Sequence, residues 1–210
     1  MMHSVPRRIL LATRNQGKVE EIRRLVRDLP VELLSLEDVD RVPHVLEDGD
    51  TFEENALKKA REIAYATELS TLADDSGLCV DALDGRPGVL SARYAGATAS
   101  DEEKCARILE EMSGVPDDRR SARFVCVLAL VSPWKKERLF RGECRGWITR
   151  EPRGIGGFGY DPIFYDEDSG RTFAEMDRES KNAVSHRGRA LRQFAAYLRT
   201  HAEDPNFSQD

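Results

Sequence analysis

Leu72-Ala73-Asp74-Asp75-Ser76-Gly77-Leu78-Cys79-Val80 sets two adjacent carboxylates inside an apolar run. Apolar residues lead in, Ser-Gly interrupts, and apolar residues resume, a pattern that reads as a buried strand, an acidic corner and a second strand. Burying an Asp pair is costly without a positive partner. The usual partner is a basic side chain or a divalent metal, and magnesium takes carboxylates that it shares with substrate phosphates. Asp75 is therefore a candidate to hold a magnesium ion or to activate a water. The plain alternative is that the pair caps a turn.

Upstream of this stretch, Leu36 to Asp50 is an acidic loop carrying Glu47, Asp48 and Asp50, a possible source of one more metal ligand. A helix is expected from Phe52 to Ala66, opened by Thr51 with Glu54 three residues on, a capping box. Its Lys58, Lys59 and Arg61 bring positive charge near the acidic corner. Earlier still, Ile9 to Ala12 reads as a buried strand and Val19 to Leu29 as a helix, with Ile22, Leu25, Val26 and Leu29 at helical spacing. Thr13-Arg14-Asn15-Gln16-Gly17-Lys18 joins them. A strand, a polar glycine loop and a helix N-terminus favour an anion through free N–H groups and the helix dipole. It is not a Walker A loop, because Ala12 and Val19 stand where that motif needs a glycine and a metal-holding hydroxyl. A polyphosphate bound here needs its metal held elsewhere, by carboxylates. Glu32 to Ser35 reads as another strand.

Downstream, the Gly and Pro content of Val80 to Gly88 marks a tight surface loop. Ser100 with Glu103 opens a helix whose apolar face is Cys105, Ile108, Leu109 and Met112. Ala122 to Val131 and Arg138 to Thr149 read as two long strands of a hairpin. Gly154-Ile155-Gly156-Gly157-Phe158-Gly159-Tyr160-Asp161-Pro162 is rich enough in glycine for the backbone to approach a ligand closely. Phe158 and Tyr160 are candidates to stack on a planar base, and Asp161 to accept hydrogen bonds. Near the end, Ser185 caps a final helix, which puts His186 and Arg187 in its first turn. Cations there oppose the helix dipole, a misfit that hints at an anionic or electron-rich ligand in front of them.

The whole chain, 210 residues with 33% charged and 40% hydrophobic, suits one soluble domain over residues 1–200, with a polar, disordered tail over 201–210. A net charge of −6 argues against a general nucleic-acid surface. No apolar run is long enough to span a bilayer, the longest being Phe124 to Val131, and the start has no apolar signal region. A cytoplasmic location is the default. Cys79, Cys105 and Cys126 lie in apolar patterns and read as buried thiols; with Cys144 they form no CxxC pair.

Taken together and in order, these stretches resemble the inosine/xanthosine triphosphate pyrophosphatases, from Ile9 to about Leu198. The marks are Ala12 to Lys18, Thr51-Phe52-Glu53-Glu54-Asn55-Ala56, Ala73 to Leu78, Pro87-Gly88 with Ser91-Ala92-Arg93-Tyr94, Gly156 to Pro162, and Ser185-His186-Arg187-Gly188. The resemblance implies an α/β fold, with an elongated mixed central sheet flanked by helices and two lobes with a cleft between them. It implies a homodimer and magnesium-dependent hydrolysis of deaminated purine nucleoside triphosphates to the monophosphate and pyrophosphate. By position, Thr13, Arg14, Asn15, Gln16, Gly17 and Lys18 cradle phosphates, and Lys59 faces them. Asp75 is the general base and, with Glu47, a metal-site acid. Ser76, Phe158, Gly159, Tyr160, Asp161, Lys181, His186 and Arg187 contact the substrate. Asp74, on the opposite face of a regular strand, supports the site from behind. One departure is Arg14, where many members have glycine.

Two readings from other classes use the same residues. A nucleotide-binding regulator without turnover has no need of Asp75 and Glu47. A general metal phosphatase releases orthophosphate and has no use for the Phe158, Tyr160, His186 and Arg187 set.

Overall fold

The computed structural model describes residues 7–29, 31–134 and 136–201. The tail expected to be disordered lies outside these residues, except for His201. Strand β3, Ser70–Val80, runs unbroken through the acidic stretch. The acidic corner expected at Asp74-Asp75, with its break at Ser76-Gly77, is therefore a correction, and its physical reason is tertiary. A Cβ at Gly77 would collide with the Ser91 hydroxyl and the Gly88 carbonyl. Ser91 Oγ accepts from Leu78 N at 2.9 Å and donates to Gly88 O at 2.6 Å. The glycine thus lets a second segment close directly on the strand instead of turning it. Gly77→Ala is expected to cost about 2–3 kcal/mol of stability by overpacking. A urea unfolding midpoint equal to that of the parent would contradict this.

β1 (Arg7–Leu11) pairs parallel with both β2 (Val31–Leu34) and β3. Parallel neighbours need a crossover. Helix α1 (Gln16–Val26) supplies it between β1 and β2, and α2 (Phe52–Thr67) between β2 and β3. The first helix begins three residues before its expected start because Asn15 caps it, its side chain accepting from Lys18 N. The capping boxes at Thr51 and Ser100 both form, the latter opening α3 (Asp101–Glu111).

β4 (Ser121–Val131) is buried on both faces from Phe124 onward, as a central strand must be. β5 (Glu137–Ile148) mostly alternates between buried and exposed positions. Short β6 (Phe164–Asp166) and β7 (Arg171–Thr172) follow in antiparallel pairing, with Trp147 opposite Tyr165 and Tyr165 opposite Thr172. The result is an α/β fold on a mixed seven-stranded sheet of order β2-β1-β3-β4-β5-β6-β7. The last two helices among the described residues are α4 (Arg178–Val184) and α5 (His186–Thr200).

The residues fall into two compact units. The first holds everything up to Asp75, Val127–Arg141 and the chain from Ala190 on; the second holds Ser76–Cys126 and Gly142–Arg189. In the first unit, α2 is tied to β5 by Arg61, whose guanidinium makes two hydrogen bonds to the Glu137 carboxylate at 2.6 and 2.7 Å, and by Arg141 to Glu53. The second unit is cored by Phe124, Phe164 and Phe173, with ring centroids 4.6 to 5.7 Å apart. Its buried Arg120 donates to the carbonyls of Ile148, Met112 and Thr149, which satisfies the guanidinium with backbone alone. All four cysteines are buried free thiols, and burial pushes Cys105 and Cys144 up to about 12.

Candidate active site

In the first unit the strand alternation separates the two carboxylates. Asp74 is buried and pairs with Lys18 Nζ at 2.5 Å. Asp75 accepts from Asn55 Nδ2 at 3.1 Å. Asn55 is itself almost fully buried on α2, and its Oδ1 accepts from Gly49 N at 2.8 Å. It therefore orients the carboxyl and ties down the acidic loop in one step. Lys59, one turn further along α2, donates to Glu47 Oε1 at 2.8 Å and to the Asp74 carbonyl at 2.6 Å. Glu47, Asp74, Asp75 and Lys59 are thus close enough to govern one another's charge.

Burial pushes the Asp75 carboxyl up to about 6. The Asn55 hydrogen bond and Lys59 oppose this, while Glu47 and Asp74 add to it as like charges. Lys59 is held above its ordinary value: burial lowers it, but Asp74, Glu47 and Asp75 more than offset that. Three carboxylates against the two ammoniums of Lys59 and Lys18 leave an excess of negative charge in a half-buried place. That donor set fits a magnesium ion held by Glu47 and Asp75, since magnesium uses one or two carboxylates and takes its other ligands from waters and phosphates. Among the described residues no group of three or more His, Cys, Asp or Glu side chains forms a metal cage.

Lys59→Met removes a cation that interacts with all three of these carboxylates. A buried charge cluster stripped of its partner costs about 3–5 kcal/mol. The expected outcome is a melting temperature lower by several degrees, with activity lost at temperatures where the variant is still folded. A variant as stable and as active as its parent would contradict this placement of Lys59.

Thr13 to Asn15 lie in the β1–α1 loop, and Gln16 to Lys18 form the first turn of α1. Asn15 N donates to Thr13 Oγ1 at 3.2 Å, and Asn15 Oδ1 takes Lys18 N at 3.2 Å, which shapes the start of α1. Arg14 to Gly17 are exposed, and the first turn of α1 contains no acidic residue. Left-handed backbone occurs at Glu68 and Asp84 among the described non-glycine residues, and not at Arg14. Arginine therefore sits in this loop without the backbone strain that replacing a glycine can bring.

In the second unit, Phe158 is half exposed, with Lys181 Nζ 4.5 Å and the Arg187 guanidinium carbon 5.5 Å from its ring centroid. Asp161 is buried, accepts from Phe158 N at 2.8 Å and pairs with Lys181. Gly157 has a left-handed φ of 76°, and a Cβ there would run into the Asp161 carboxylate, so the loop can close only on glycine. Arg187 Nη2 donates to Ser76 Oγ at 3.3 Å, and buried His186 stacks on Phe124 with centroids 4.7 Å apart. Ser185 accepts from Gly188 N at 3.2 Å, the expected cap that sets both residues in the first turn of α5.

Tyr160 is a correction. Its ring is buried and its hydroxyl donates to Ser91 O at 2.8 Å, so it locks the Gly77–Ser91 contact instead of presenting a face to a base. Burial raises its phenol well above the usual range. Asp161 likewise works inward, on Phe158 and Lys181. Asn55 was missed as a site residue, although a polar residue on the apolar face of a helix is the available signal. So was Asp177, whose side chain accepts from Ser180 N at 2.8 Å and caps α4, the helix that carries Lys181.

A model described as the Ham1 family matches residues 9–197. The chain is 58% identical over 184 residues to a Geobacter sulfurreducens protein named dITP/XTP pyrophosphatase, covering 88% of this chain and 92% of that one. It is similar to the solved structure of a HAM1 protein from Coxiella burnetii, at a TM-score of 0.88 and 46% identity, over 92% of this chain and 98% of that one. It also resembles a Mycobacterium abscessus structure described as a nucleoside-triphosphatase / dITP/XTP pyrophosphatase, at a TM-score of 0.77 and 50% identity, over 89% and 98% of the two chains.

Proposed function

The chain belongs to the Ham1 family, and from that premise we propose that it hydrolyses deaminated purine nucleoside triphosphates (ITP, dITP and XTP) to the monophosphate and pyrophosphate, removing them from the nucleotide pool. The observation that carries the reading is Asp75: a half-buried carboxyl, oriented by Asn55, pushed up to about 6, beside Glu47 and Lys59. A base poised near neutral pH is what proton removal from water requires.

Asp75 accepts the proton of the water that attacks the α-phosphorus. Lys18, Lys59 and the N–H groups at the start of α1 stabilise charge on the pyrophosphate that leaves. Glu47 and Asp75 are the proposed magnesium ligands, and the ion, when bound, neutralises charge on the phosphates. Phe158 offers its exposed ring to the purine. Lys181 and Arg187 are donors only, which suits the carbonyl oxygen at position 6 of hypoxanthine or xanthine and not the amino group of adenine. Magnesium dependence, a homodimer and a cytoplasmic location are part of the proposal, on the family likeness. Among the described residues no helix is long and apolar enough to cross a membrane.

Hydrolysis of ITP in ¹⁸O-water tests the site of attack. The label is expected in inosine monophosphate. Label in pyrophosphate, or release of orthophosphate, would overturn the proposal.

A further inference from the structure

The glycine loop is held at more points than its own turns require. Phe158 N is taken by Asp161 at 2.8 Å, and Gly156 N by the Ala174 carbonyl at 3.0 Å. The next residue, Gly159, is held from a different element altogether. Its N–H donates to Asp101 Oδ2 at 2.6 Å, and its carbonyl lies 3.4 Å from Cys105 Sγ, both on α3. Gly159 has a left-handed φ of 62°, and a Cβ there would meet nothing within 4 Å. Packing therefore does little to fix this backbone, and the two bonds to α3 fix it instead.

Asp101 is the first residue of α3, where a carboxylate is favoured by the helix dipole. Yet Ser100 and Glu103 already cap that helix through a complete capping box. The Asp101 carboxylate is turned elsewhere: one oxygen to Gly159 N, the other to Lys104 Nζ at 2.9 Å. Lys104 keeps it charged and aimed, and a charge-assisted bond to a backbone N–H is stronger than a neutral one.

We propose that Asp101 is a positioning residue for nucleobase recognition, holding Gly159 and so presenting the Phe158 ring beside Lys181 and Arg187. The inference rests on the assignment of Phe158 as the base-stacking ring. Without the Asp101 bond, the glycine samples other backbone conformations, and the substrate must order the loop on binding. The cost falls on binding and not on the chemistry at Asp75.

Steady-state kinetics with ITP and magnesium on Asp101→Ala, Asp101→Asn, Asp101→Glu, Phe158→Ala and the Asp101→Ala/Phe158→Ala double variant test this. Asp101→Ala is expected to raise KM about tenfold while kcat changes less than about threefold. Asp101→Asn, whose amide oxygen can still accept from Gly159, recovers most of that loss. The double variant is no worse than Phe158→Ala alone, because both changes disable the same ring. If Asp101→Ala does not fold, Asp101→Glu carries the test: it keeps the charge at the helix start, misplaces the oxygen, and still raises KM. An unchanged KM in Asp101→Ala, or in Asp101→Glu where that variant carries the test, or additive losses in the double variant, overturns the inference even if Phe158→Ala raises KM. An unchanged KM in Phe158→Ala overturns the stacking assignment and this inference with it.

Discussion

Replacing Asp75 with asparagine is expected to lower kcat about a thousand-fold and, at neutral pH in chelator, to make the protein more stable. The amide keeps the shape and still accepts from Asn55 Nδ2, so nucleotide binding survives while the proton acceptor is gone. The stability gain follows from linkage. The Asp75 carboxyl is raised from 3.8 to about 6 in the folded protein. Its favourable contribution is therefore fully present below about pH 4 and lost as pH rises through 6. Above that, the parent carries a half-buried charge costing about 3 kcal/mol, which asparagine does not. The variant's melting temperature should exceed the parent's by several degrees at pH 7.5 and match it near pH 4. Turnover near that of the parent would remove Asp75 from the chemistry. Equal melting temperatures at pH 7.5 would show that its charge is not penalised.

The second large effect is on selectivity. Arg187 is buried, lies over the Phe158 ring and donates to Ser76. Arg187→Ala is expected to reduce the ratio of kcat/KM for ITP over ATP by about a hundred-fold. A site built to donate to a substrate carbonyl rejects an analogue without one because its donors are left unpaired. Removing the donor raises the correct substrate's barrier far more than that of the wrong one. A ratio unchanged from the parent would take base reading away from Arg187 and leave it to Lys181 and His186.

Much of this was legible in the chain because it is local. Thr51 with Glu54 and Ser100 with Glu103 announce helix starts, and both boxes form. Strand alternation alone separates Asp74 from Asp75, and the two do find different partners, Lys18 and Asn55. His186 and Arg187 do stand at the start of a helix, with Phe124 stacked on one and Phe158 beside the other.

What failed depended on contacts distant in sequence. Ser-Gly after the aspartates reads locally as a break, yet Ser91 and Gly88 close on Gly77 and the strand continues. Tyr160 reads as a stacking ring by composition, but its hydroxyl belongs to the same Ser91. Asn55 reads locally as a weak helix former inside a capped helix, and nothing near it in sequence points to the Asp75 carboxylate it holds. Arg14 looked like a lost glycine, and only the backbone angles show that no left-handed conformation is needed there.

The most direct test of the function is product analysis. Purified protein with magnesium is mixed separately with ITP, XTP, ATP and GTP, and the products are identified. Monophosphate and pyrophosphate, formed rapidly from ITP and XTP and far more slowly from ATP and GTP, is the expected result. Orthophosphate from all four, or tight binding with no product, would contradict it.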